Sequence, residues 1–91
     1  MSKNILIVED QKSFRDALTS QLSSDNTAIS TAENGFDALK MLKEQFYDII
    51  LCDIEMPKMG GIELLKIIKR TEKHSAVVMI TSREDGEAIE K

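Results

Sequence analysis

One cysteine and one histidine are all that this 91-residue sequence holds of either residue. Cys52 alone cannot close an internal disulfide. Without a cysteine pair or a histidine cluster, there is no soft ligand set of the kind that holds zinc. Cys52 sits in an apolar run and reads as a buried structural thiol. Positive charge is also short: twelve Lys and Arg face sixteen Asp and Glu, for a net charge of −4. Direct nucleic-acid binding by this segment is therefore not expected. Long apolar runs are missing too. The first ten residues hold only four consecutive apolar ones, too few for a signal peptide, and no run reaches membrane-spanning length. No membrane association is expected, and the expected location is cytoplasmic. Repeats, linkers and low-complexity segments are absent. What remains, 42% apolar and 31% charged, is the balance of one small globular domain. A chain this short buries only about 60–65% of its unfolded surface, so modest stability is expected.

Four short apolar runs punctuate the chain: Ile5-Leu6-Ile7-Val8, a weaker Ala28-Ile29-Ser30-Thr31-Ala32, Ile49-Ile50-Leu51-Cys52 and Val77-Val78-Met79-Ile80. Three are near-continuous and rich in β-branched residues, the mark of strands covered on both faces in a parallel sheet. Between them lie segments of helical period. Phe14, Ala17, Leu18 and Leu22 form one stripe; Phe36, Leu39 and Leu42 form a second after Asn34-Gly35. Ile62, Leu65 and Ile68, with Leu64 and Ile67, form the widest, after Gly60-Gly61. The alternation reads βαβαβαβ, with a further helix starting from Glu84 to Lys91. It predicts an α/β fold with right-handed crossovers.

The acids follow the strands. Glu9-Asp10 come directly after the first, Asp53 after the third, and Thr81-Ser82 after the fourth. In a parallel sheet these positions share the carboxyl edge, where open α/β folds place their ligands. Isolated acids after strands are usually solvated turn residues. Three together are different, because two charges about 4 Å apart repel by roughly 4 kcal/mol at an effective dielectric near 20. A proton or a bound cation relieves that repulsion. An all-oxygen set suits a hard divalent ion that keeps some water, which favours Mg2+ over zinc. Beside such an ion Asp53 becomes a candidate nucleophile towards a phosphoryl group. Thr81 or Ser82 is then placed to hydrogen-bond a phosphoryl oxygen; the plainer reading of Thr81 is a strand-end residue packed by its methyl.

These residues closely resemble the response-regulator receiver domains of two-component signalling. The likeness runs from Lys3 to about Glu87. It rests on Ile5-Leu6-Ile7-Val8-Glu9-Asp10, on Asp53-Ile54-Glu55-Met56-Pro57-Lys58-Met59-Gly60-Gly61, on Val78-Met79-Ile80-Thr81-Ser82, and on an Asn-Gly turn at Asn34-Gly35. The resemblance implies a flavodoxin-like, doubly wound parallel sheet. It implies Asp53 as phosphoacceptor, Asp10 as direct Mg2+ ligand, Glu9 as second acid acting through water, and Glu55 giving its backbone carbonyl to the metal while its side chain tunes phosphoryl lifetime. It further implies Thr81 as the switch hydroxyl and the Ser82 backbone amide as a phosphoryl contact. Pro57 fixes one backbone angle beside the site, and Gly61 permits geometry or close packing closed to larger residues. A histidine kinase or phosphotransfer protein is the implied donor, with an unidentified output domain or target.

A complete receiver has five strands and five helices in the order 2-1-3-4-5. Residues 1–91 read as one such domain, incomplete at its C-terminus: the order expected is 2-1-3-4, without the fifth strand, its lysine and switch aromatic, or the fifth helix. Lys69, Lys73 and Lys91 do not occupy that lysine's place. The Val77–Ile80 strand then becomes an apolar edge, and a homodimer or swapped dimer is one expected outcome. A protein that continues beyond Lys91 is the other. His74, in a polar stretch, reads as a solvated loop residue with no phosphotransfer role. Two further functions compete with the phosphorylation switch. One is a phosphorylation-independent interaction module of the same fold. The other is a phosphatase with Asp53 as nucleophile and Glu55 as acid/base.

Overall fold

The computed structural model describes residues 3–54, 60–71 and 75–80. The elements are β1 (Lys3–Val8), α1 (Lys12–Leu22), β2 (Thr27–Ala32), α2 (Gly35–Glu44), β3 (Ile49–Asp53), α3 (Gly61–Thr71) and β4 (Ala76–Ile80). The helix expected from Glu84 lies outside the described residues. The four strands form one parallel sheet in the order β2-β1-β3-β4, as the resemblance implied.

Local chemistry sets the element ends. Asn34 caps α2: its Oδ1 accepts from the Asp37 N–H at 2.9 Å, and its Nδ2 donates to Asp37 Oδ2 at 3.3 Å. Asn34-Gly35 is thus a helix start, with the glycine already inside α2, where a turn was expected. At α3 the Leu64 N–H donates to the Gly60 carbonyl, and Glu63 reaches back to the Gly60 N–H at 3.4 Å. The first is the opening bond of the helix, and the second is one half of a capping box, the half that glycine can supply without a side chain. At the opposite edge of the sheet, Asp48 accepts from the Asn4 N–H through Oδ2 and from the Ala76 N–H through its carbonyl. One turn thereby aligns the starts of β1, β3 and β4.

Right-handed crossovers dictate the layers. The step from β1 to β2 runs one way along the sheet, and those from β2 to β3 and β3 to β4 run the other way, so α1 lies on one face and α2 with α3 on the opposite one. The core fills the second face: Leu6, Val8, Ile50 and Cys52 from the sheet meet Ala38 and Leu42 of α2 and Leu64 and Ile68 of α3. Each fully buried Leu or Ile there contributes about 1.5–3 kcal/mol.

Cover is thinner on the other face. Phe14, Leu18 and Leu22 of α1 are only half-buried, and the helix has no buried residue. Cover on both faces, read from the apolar runs, is not met at β4, which is the apolar edge expected for Val77–Ile80. Ala76 and Val78 are exposed while Val77 and Met79 pack on the core. The reason is position: among the described residues β4 is the sheet edge, and α1 lies over β1 and β2.

Candidate metal centre

The β1–β3 register pairs Ile7 with Leu51 and Val8 with Cys52. One residue further, Glu9 comes opposite Asp53. Side chains alternate along a strand, so both leave the sheet on the face of Ile7 and Leu51. The place is also the switch point of the sheet. Chain connections depart from β1 and β3 to opposite faces there, and open α/β folds bind ligands in that crevice.

Asp53 was expected just after β3 and is its last residue, paired with Ile80 of β4. The ladder continues because the Ile54 N–H donates to the Ile80 carbonyl at 2.8 Å. Glu9 is fully buried and Asp53 is 1% exposed, while Asp10, on the loop after β1, is exposed. Carboxylate oxygens of the three lie within 4.8 Å of one another. The convergence anticipated from the sequence is met for this trio. Glu55, Thr81 and Ser82 lie outside the described residues.

Glu9 shows what that convergence costs. Its Oε2 accepts from the Gln11 N–H at 3.0 Å, but its buried Oε1 has no hydrogen-bond partner among the described residues. Burial pushes the Glu9 pKa up to about 7 from 4.5. The Gln11 bond opposes that rise, while the charge on Asp53 adds to it, as do the carboxyls of Asp10 and Asp53. Ionised carboxylates cannot donate to one another; a proton on Glu9 turns the repulsive contact into a hydrogen bond. Cys52, the neighbour of Asp53, has its thiol pushed up to about 12 by burial first and by the Asp53 and Glu9 charges second.

A divalent cation answers the same need as that proton. The orphaned Oε1 is a buried acceptor on a carboxylate that converges with two others, and every donor atom in the set is oxygen. These residues fit a hard ion such as Mg2+.

Two neighbours of the trio escaped the sequence reading. Gln11 gives a backbone donor to Glu9, and Arg15 Nη1 donates to the Glu9 carbonyl at 2.8 Å. Neither carries a sequence signal: Gln11, the residue before α1, donates through its backbone, and Arg15 reads alone as a helix cation.

Comparison with known proteins agrees with this geometry. The family model of the response regulator receiver domain matches residues 5–91. The Regulator of RpoS from Escherichia coli (strain K12) is 38% identical over 91 residues, the whole of this chain but 27% of that protein. This chain therefore spans about a quarter of that relative's length. Among solved structures, response regulator protein TrrA from Thermotoga maritima in complex with Mg(2+)-BeF matches with a TM-score of 0.83 at 34% identity, over 94% of this chain and 75% of that one. A complex of histidine kinase ThkA with TrrA matches with a TM-score of 0.81 at 35% identity, over 90% of this chain and 71% of that one. A parallel sheet that brings three carboxylates to its switch point thus finds its counterpart, and this chain belongs to the response regulator receiver domain family.

Proposed function

We propose that Asp53 accepts a phosphoryl group from a histidine kinase or phosphotransfer protein, with Mg2+ held beside it, and that this modification switches the domain's contacts with an output. The observation that carries the reading is the convergence of Glu9, Asp10 and Asp53, two of them buried, with one buried Glu9 oxygen unsatisfied among the described residues. Likeness to a receiver solved with Mg(2+)-BeF and to one solved with its kinase supports it.

Glu9, Asp10 and Asp53 would hold the ion, with the Glu55 carbonyl added from the family pattern. Bound there, Mg2+ offsets the charge of the phosphoryl oxygens and orients the donor. Asp53 supplies the nucleophile. One of its oxygens bonds to phosphorus as the P–N bond of a phosphohistidine, or the P–O bond of a small acyl phosphate, breaks; the leaving group departs with that electron pair. Gln11 holds one Glu9 oxygen by its N–H and so keeps that carboxylate from swinging away. Thr81 and Ser82 are proposed, from the family pattern alone, to hydrogen-bond the acquired phosphoryl group and to move with it.

Acetyl phosphate provides the test. With Mg2+, intact-mass analysis is expected to detect one added phosphoryl group. The addition is expected to disappear in Asp53→Asn and on chelation with EDTA. Labelling that survives Asp53→Asn unchanged rejects the assignment.

A further inference from the structure

Of the three carboxylates, Asp10 is the one that packing does not hold, since it is exposed on the loop after β1 while Glu9 and Asp53 are buried. Its place depends on the peptide that precedes it, and that peptide is the one Arg15 grips. The guanidinium Nη1 donates to the Glu9 carbonyl at 2.8 Å across six residues of sequence. The Glu9 carbonyl and the Asp10 N–H belong to one rigid peptide plane. On the other side of Glu9, its own N–H donates to the Ala32 carbonyl of β2 at 3.0 Å. Glu9 is therefore fixed at its N–H by β2, at its carboxylate by Gln11 and at its carbonyl by Arg15. Remove the last, and the Glu9–Asp10 plane is free to turn, carrying the Asp10 carboxylate with it.

Arg15 lines an open cleft of about 470 Å3 with Glu33, Asp37, Lys40 and Glu44, and among the described residues it forms no ion pair with these acids. Its guanidinium is spent on the Glu9 carbonyl, at 2.8 Å. Burial reinforces this, because the carbonyl of the fully buried Glu9, stripped of its donor, loses a hydrogen bond that water is poorly placed to replace.

We propose that Arg15 is a positioning residue for the metal centre, orienting Asp10 towards the cation through its hydrogen bond to the Glu9 carbonyl. The proposal rests on the metal reading of the trio and adds a residue that touches neither the ion nor the phosphoryl group. Outer partners that orient metal ligands typically cost 10–100-fold in affinity when removed. A single bond acting through one peptide falls at the low end of that range.

The experiment compares wild type, Arg15→Met and Arg15→Lys in two measurements. Mg2+ titration by calorimetry reads affinity, and 1H–15N spectra of the metal-free proteins read the peptide itself. Arg15→Met keeps the apolar stem and removes the donors; it is expected to weaken Mg2+ binding about tenfold. It is also expected to shift the Asp10 amide well beyond the Ile7 amide, since the Asp10 nitrogen shares the peptide with the affected carbonyl. Arg15→Lys keeps one flexible donor and is expected to recover part of both effects. Should Arg15→Met fail to fold, Arg15→Lys carries the test, with Mg2+ binding expected two- to threefold weaker than wild type. Unchanged affinity in the folded variants overturns the role of Arg15 and leaves the metal reading standing. Absence of any Mg2+ binding by the wild type overturns the metal reading and the proposal together.

Discussion

Ile54 donates its backbone N–H to the carbonyl of Ile80 at 2.8 Å, carrying the β3–β4 ladder one step past Asp53. The residue after Asp53 and the residue before Thr81 are thereby joined by a single bond. The Ile54 side chain is 40% exposed, so what fixes this position is the ladder and not the core. A change in the backbone at Asp53 reaches the end of β4 without passing through any side chain.

Metal-free stability is expected to fall as pH rises from about 4.5 to about 7. The folded-state pKa of Glu9, about 7, lies above its ordinary 4.5. In that window the folded protein holds a proton that the unfolded chain has released. Stability from this group is complete below the window and lost as pH climbs through it, to a cost of roughly 3 kcal/mol above pH 7. Mg2+ competes with the proton, so stabilisation by Mg2+ is expected to grow over the same range. Urea midpoints between pH 5 and 8, in EDTA and in Mg2+, measure both slopes. A metal-free midpoint that rises steadily to pH 8 contradicts this reading of Glu9.

Glu9→Gln separates the two contributions. The amide keeps an acceptor for the Gln11 N–H and removes the buried charge. Above pH 7 the metal-free variant is expected to melt well above wild type, by up to about 12–24 °C where the full cost of roughly 3 kcal/mol is relieved, since 1 kcal/mol moves the midpoint by about 4–8 °C in a domain of this size. Its slope between pH 5 and 7 is expected to flatten. Its gain from Mg2+ is expected to shrink, because the ion loses a charged ligand. A variant less stable than wild type in EDTA at pH 8 would show that the Glu9 charge is satisfied in the folded protein.

Much of this was legible from residue order. Strands announce themselves in Ile5–Val8 and Ile49–Cys52 because both faces of a central parallel strand are covered, and acids just beyond two such strands must then meet at one rim. That β4 forms an apolar edge was legible, but which of its residues stand exposed was not. Val77 and Val78 look alike in sequence, and only the neighbouring helices decide that the first packs while the second stands 45% exposed. The end of β3 was hidden too, since aspartate is a poor strand former and its place in the ladder depends on pairing with Ile80, far along the chain. Arg15 carries no motif. Read alone it is a solvated helix cation, and its bond to the Glu9 carbonyl exists because α1 folds back over the end of β1.

Asn34 offers a test of local structure away from the acids. It is 7% exposed, and its side chain satisfies the Asp37 N–H at 2.9 Å. Asn34→Ala leaves that donor unpaired and is expected to cost about 1 kcal/mol, or about 4–8 °C in melting temperature. Asn34→Ser, which keeps a capping oxygen, is expected to retain most of the stability. Equal melting temperatures for the alanine variant and the wild type would show that solvent caps α2 as well as Asn34 does.

Cys52 reports on how often the centre opens. The thiol is fully buried, donates weakly to the Asp53 carbonyl at 3.5 Å, and has its pKa pushed up to about 12. Only the thiolate attacks disulfide and alkylating reagents, so the folded protein is protected twice, by exclusion and by protonation. At pH 8 reaction with an aromatic disulfide reagent is expected to run at least a hundredfold slower than in urea, and to proceed only through opening of the sheet. Mg2+ binds the closed centre under the proposed reading, so it is expected to slow the reaction further, by the factor it adds to stability. Prompt stoichiometric labelling in native buffer, unaffected by Mg2+, would mean that β3 opens readily beside Asp53 and that the acids do not form a lasting cradle.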